Sequence, residues 1–174
     1  MRMNKQVFNG IFMFLEQLGS AVWVGGIIMF AVAVAGTVFR EAGSINLAGH
    51  LNGKILARLN LIETAGAILM SISAVYFMLQ PDTRDTTRIV KTVLLGLMVL
   101  LLIGYGKFIT DQLEYLRTVE IKDFDNFDVS KQAFRDEFNR LHKLYTTLTS
   151  ANLLMGISFI ALSAFSKAKE SILQ

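Results

Sequence analysis

The feature that most limits this chain is a run of 23 residues without a charge, QLGSAVWVGGIIMFAVAVAGTVF at 17–39, closed by Arg40. About 20 apolar residues at 1.5 Å rise per residue cross a hydrocarbon core of about 30 Å. The pattern returns at 59–79, 89–109 and 144–166. A soluble domain of 174 residues has neither the core to hide 53% hydrophobic residues nor so low a charged share as 18%. The chain therefore reads as one membrane domain over 1–174. The fold expected is all-α: an integral membrane four-helix bundle of long helices.

What the chain lacks narrows its chemistry. Without Cys there is no disulfide, no thiolate metal site and no Cys nucleophile. The net charge of +3 is not gathered into a basic run, so nucleic acid is not an expected partner. Arg2 and Lys5 before an apolar run resemble a signal peptide, with Ala31-Val32-Ala33 as a small-residue cleavage site. The charge-free run exceeds the usual signal core, and a retained first helix is the expectation.

The first helix is expected from about Val7 to Phe39, with Gly43 and Ser44 marking a turn. Segment 45–58, INLAGHLNGKILAR, is amphipathic. Either it lies in the membrane interface or it extends the second helix outward. Gln80-Pro81-Asp82 stops that second helix. In the third span, Lys91 and Lys107 are expected to snorkel toward opposite interfaces. Beyond it, Ile109, Leu113, Leu116 and Val119 keep the helical period. After an acidic link at 121–130, Phe134, Phe138, Leu141 and Tyr145 restart it. Residues 109–145 thus read as a helical hairpin extending outside the membrane between spans 3 and 4.

Four spans put both termini at one end, here called the near end. It carries 7 basic residues: Arg2, Lys5, Arg84, Arg88, Lys91, Lys167 and Lys169. Of the 10 at the far end, 7 lie in 107–143 among 8 acids. This distribution favours a multi-pass protein of the cell membrane (the inner membrane in a Gram-negative cell) with both termini cytoplasmic.

Polar residues within the spans are the candidate site, because each is costly there unless paired. Glu63, Tyr105, Lys107, Arg40, Arg58 and His142 fall at similar depth toward the far end, and Asn152 lies deeper. They read either as a polar pocket open to the far end or as a structural ion-pair cap, with Glu63 held by Arg58, Lys107 or Arg40. Glu16 is interfacial if the membrane begins near Gln17, and intramembrane if it begins near Val7. The two histidines, His50 and His142, sit at the rim, so an intramembrane haem or metal site is not supported. A His50–His142 pair with Glu63 is the one conceivable metal arrangement. Asp123, Asp125 and Asp128 echo a calcium loop without its glycine and closing glutamate, and a solvated tip is the plainer reading. No catalytic residue, cofactor or metal is therefore assigned. Gly19, Ala21, Gly25, Gly26 and Ala33 allow close helix contact, either within the bundle or across a dimer face. Trp23 reads as a packing wedge.

The segments AVWVGGIIMF, Val38-Phe39-Arg40, LNGKILARLN and FNRLHKLYTTLTSANLL resemble the small four-helix proteins of the transmembrane protein 205 type. Phe138, His142 and Asn152 match that family's Phe-x-x-x-His and later Asn. The resemblance implies a four-helix membrane protein of unestablished biochemistry, whose eukaryotic relatives are associated with tolerance to platinum drugs. The Trp-x-Gly-Gly is also similar, more distantly, to the copper-resistance membrane domains. Those carry a His about two turns before the Trp, where this chain has Glu16, and the eight Met are scattered like core filler. The expectation is a non-enzymatic membrane protein acting by self-association, or as a subunit or scaffold with a membrane-protein partner. The alternative is a small-molecule or metal-ion transporter or channel with a polar site near Glu63.

Overall fold

The computed structural model describes the backbone of residues 2–172 and the side chains of residues 5–165. The near-end cations Arg2, Lys167 and Lys169 lie outside the described side chains. Four helices are long and apolar enough to cross a membrane: α1 (Lys5–Glu41), α2 (Ile45–Met78), α3 (Thr86–Ile121) and α4 (Val129–Phe165). There is no strand among the described residues. The all-α four-helix bundle expected from the apolar runs is what the chain forms.

Local chemistry sets the ends. Gly43 takes a left-handed φ of 72°, which a glycine adopts without a Cβ clash. Ser44 then caps α2 by accepting from the Leu47 amide at 3.1 Å. Pro81 follows the end of α2, and Asp85 caps α3 by accepting from the Arg88 amide at 2.7 Å. Segment 45–58 is the outer part of α2 in one unbroken helix, which settles its two readings in favour of extension. Its Gly49 and Gly53 approach Arg117 and Glu114 of α3, each at 3.7 Å from a Cβ position.

The hairpin at 109–145 is present as the outer ends of α3 and α4. It does not stand alone, because its tip is tied to the start of α2. Asp125 accepts from the Ile45 and Asn46 amides at 2.7 and 3.1 Å, and Asp123 accepts from Asn46 Nδ2 at 2.6 Å. The acids that echo a calcium loop thus serve as caps, and Asp128 accepts from the Ser130 amide at 2.9 Å.

α1 and α2 approach most closely at two glycines. A Cβ on Gly66 would stand 2.8 Å from the Gly19 carbonyl oxygen and 3.2 Å from Trp23 Cβ. On α4, a Cβ on Gly156 would meet Val24 at 2.6 Å. These small residues let the helix backbones meet closely. Of the small residues of α1, Gly19 and Gly26 face the bundle. Ala21, Gly25 and Ala33 face outward, with nothing within 4 Å of a Cβ on Gly25. The core runs from Trp23 and Met70 through Met98, Leu102 and Tyr105 to Leu116 and Leu141. Met70 and Met98 act as buried filler, whereas Met29 faces outward.

Candidate functional site

Two carboxylates are buried inside the bundle. Nearer the termini, Glu16 of α1 is bonded by Lys91 Nζ and, at 3.2 Å, by Arg88 Nη1, both from the first turns of α3. Ser163 of α4 adds a hydroxyl at 3.4 Å. Phe77 lies 3.7 Å from the Arg88 guanidinium, and Phe159 lies 4.7 Å from Lys91 Nζ. Both cations therefore sit on aromatic faces as well as on a carboxylate. Lys91 does not snorkel, contrary to expectation: a buried anion is within reach, and pairing replaces the escape to water. Glu16 is likewise buried. A polar cavity of about 250 Å³ opens beside it, bordered by Asn9, Asp82, Asp85 and Arg88.

Deeper, Glu63 of α2 is 0% exposed and has no cationic partner among the described residues. Its Oε1 accepts from Trp23 Nε1 of α1 at 3.1 Å and from the Tyr105 hydroxyl of α3 at 2.6 Å. Asn152 of α4, also 0% exposed, donates from Nδ2 to that hydroxyl at 2.9 Å and to the Met98 carbonyl at 3.1 Å. The network joins all four helices. Gly66 makes it possible from one side, since its missing Cβ lets Trp23 lie across α2 one turn from Glu63. From the other side, Tyr105 lies in a wide turn at Gly104–Ile109, where the Thr110 hydroxyl reaches back to the Tyr105 carbonyl at 2.9 Å. Such a turn inserts one residue into the helical face and often marks a functional position. The same turn leaves the Gly106 carbonyl to accept from Asn60 Nδ2 at 3.2 Å.

Of the seven candidate residues, six at similar depth and Asn152 deeper, the structure joins Glu63, Tyr105 and Asn152. The other four stand apart. Lys107 points outward to Asp111 at 2.6 Å. Arg40 is exposed beside Thr37 at 3.5 Å, and Arg58 is exposed. His142 is exposed and stacks on Phe138 with ring centroids 6.2 Å apart. The ion-pair cap drawn from Arg58, Lys107 or Arg40 does not form, because a shared depth does not give a shared azimuth around the bundle. Trp23 was read as a wedge. It is one, at 0% exposure, and its indole N–H is also a donor to the site, a role that calls for an acceptor across the Gly19–Gly66 contact.

Beyond the network, at the far end, lies a second cavity of about 410 Å³ whose lining includes Phe39, His50, Arg117, His142 and Tyr145. Tyr145 is the wall between this cavity and Glu63. Its ring meets Tyr105 edge-on at 5.4 Å, and its hydroxyl is 3.4 Å from Asn60 Oδ1. His50 and His142 share the cavity, but Glu63 does not line it. No group of three His, Cys, Asp or Glu with metal-binding geometry occurs among the described residues.

No family model, curated protein or solved structure matches the chain.

Proposed function

We propose that this is a non-enzymatic, multi-pass integral membrane protein that acts by association in the bilayer, with a second copy of itself or as a subunit of a membrane complex. The observation that carries this reading is the outer face of α1. Only 17% of the most apolar stretch of α1 is buried against the other helices, the same share as in α4, compared with 33% in α2 and 28% in α3. On that open face, Ala21 and Gly25 lie one turn apart with free space over the glycine. In lipid, small residues stabilise a helix surface when another helix uses them for close approach. The likeness to the transmembrane protein 205 type belongs to this proposal, and so do a cell-membrane location and cytoplasmic termini.

The chain has no native Cys, so one introduced thiol reports cleanly. With Ala21→Cys, oxidative crosslinking in native membranes yields a dimer or a partner adduct, and Gly25→Leu in the same background abolishes it. A strictly monomeric protein with no adduct overturns the reading. Labelling of single cysteines at 121–128 from outside intact cells tests the orientation.

A second reading, a small-solute or ion transporter, is favoured by one specific observation: Glu63 Oε2 is buried without a hydrogen-bond partner. A transporter needs a polar group that its cargo can satisfy. Unchanged flux of a candidate ion or solute in Glu63→Gln removes that support.

A further inference from the structure

The hydrogen bonds around Glu63 have fixed directions. The Met98 carbonyl can only accept, so the edge of Asn152 that faces it is the NH₂ edge, and Asn152 Oδ1 is left as a pure acceptor. The Tyr105 hydroxyl accepts from Asn152 and must therefore donate its single proton to Glu63 Oε1. The Trp23 indole can only donate, and it donates to the same Oε1. Two donors thus occupy one carboxyl oxygen. What remains is a pair of buried acceptors without a partner, Glu63 Oε2 and Asn152 Oδ1. Each belongs to a side chain whose other polar atom is bonded to the Tyr105 hydroxyl.

Two orphaned acceptors in one network are short of donors, and a proton on Glu63 turns one of them into a donor. We propose that Glu63 is a proton-binding site: Oε2, the oxygen left without a donor, carries the proton. Loading converts the Glu63 carboxylate and one proton from water into a neutral carboxylic acid, and unloading reverses this. The far-end cavity is the water source, with Tyr145 as the one aromatic layer between it and Tyr105. Thr149, its hydroxyl buried, lies between Tyr145 and Asn152 on the same face of α4.

The groups that face Glu63 are Trp23 from α1, Tyr105 from α3, and Asn152 and Tyr145 from α4. None of them supplies a positive charge. The nearest buried cation, Lys91, is bound to Glu16, which stands two turns before Trp23, about 10 Å along α1. An ionised Glu63 would be a buried charge with neither a cation nor a donor for its second oxygen, the costliest way to place a carboxyl in an apolar interior. This inference deepens the transporter reading without depending on dimer formation.

The test uses the chain's single Trp, whose indole N–H rests on Glu63. Glu63→Gln copies the loaded state, since its amide oxygen accepts from Trp23 and Tyr105 and its neutral NH₂ takes the place of the protonated Oε2. In liposome-reconstituted protein, Trp23 emission is followed from about pH 5 to about pH 10. The expected result is one titration step in the wild type that disappears in Glu63→Gln. Thermal stability should match in the two proteins at low pH, and only the wild type should lose stability as the proton leaves on raising the pH. A flat wild-type emission, or the same step in Glu63→Gln, overturns the proposal. If the variant fails to fold, the infrared spectrum of the wild type at neutral pH decides. A protonated-carboxyl C=O band that shifts in D₂O supports the site, and its absence overturns it. Flux unaffected by Glu63→Gln, with the Trp23 step present in the wild type and absent from the variant, would remove transport and leave the proton site standing.

Discussion

Glu16 and Glu63 are both buried carboxyls in the same bundle, yet they are held in opposite ways. Glu16 takes two cations and a hydroxyl, and it borders a polar cavity open to the near end. Glu63 takes two neutral donors and keeps an oxygen unpartnered. The first arrangement surrounds the carboxyl with opposite charge and clamps it in place between Lys91 and Arg88. The second fixes position without fixing charge. A bundle this thin thus separates a clamp near its termini from a site in its middle whose protonation can change.

The largest expected effect is at the clamp. Glu16→Ala leaves Lys91 buried without a counter-ion, and losing one partner of a buried pair costs about 3–5 kcal/mol. Glu63→Gln, by contrast, is expected near neutral. Denaturant or thermal unfolding in detergent measures both, and equal losses would erase the distinction between the two carboxyls.

Next in size is the helix contact beneath Trp23. Gly66→Ala drives a methyl into the Gly19 carbonyl oxygen, a backbone atom that cannot rotate away. The helices must part, at a cost of about 1–3 kcal/mol, and the Trp23 emission should move because its indole leaves Glu63. Gly25→Ala, on the open face of the same helix, should change stability by less than about 0.5 kcal/mol. If the two glycines respond alike, the assignment of inner and outer faces on α1 is wrong. Smaller again is Tyr105→Phe, which leaves Glu63 Oε1 with Trp23 alone and Asn152 with Met98 alone. The expected loss is about 1–2 kcal/mol, together with a displaced Trp23 titration.

The depth of these residues was legible in the sequence and their azimuth was not. Four antiparallel helices of known length place Glu63, Tyr105 and Asn152 at neighbouring levels, and the three do meet. Lys107 follows Tyr105 by two residues, about 200° around the helix, so the step that buries Tyr105 turns Lys107 outward. The wide turn at Gly104–Ile109 adds one residue to that face, and no pattern of residue types announced it. Glu16 and Lys91 carried a usable signal. They are opposite charges at the near ends of the first and third apolar runs, where each alone is costly and together they cancel. Reading the spans one at a time, with each charge sent to its own interface, hid that pairing. The Trp-x-Gly-Gly motif was visible as a pattern. Its physical content, a glycine contact that aims an indole N–H at a carboxyl, needed the second helix.

The smallest effect separates the interior from the surface. Asp123 at the hairpin tip is half-buried, and its carboxyl is pulled down to about 2, first by the Asn126 amide and then by the Asn46 side chain. A carboxylate stabilised by donors in the folded state supports that state above the ordinary carboxylate range, and the support is lost as the pH falls toward 2. Releasing Asp123 should loosen the tip from α2 without opening the bundle, because the bonds at stake are those to Asn46, Asp125 and Asn126. The amide resonances of Asn46 and of 124–126 should therefore shift together below about pH 3, while the Trp23 emission stays constant over the same interval. Asp123→Asn should abolish the acid transition at the tip and leave the Glu63-dependent one at high pH untouched. A Trp23 response that follows the tip would mean that the hairpin and the polar interior are one coupled unit, and the separation between surface and core would have to be abandoned.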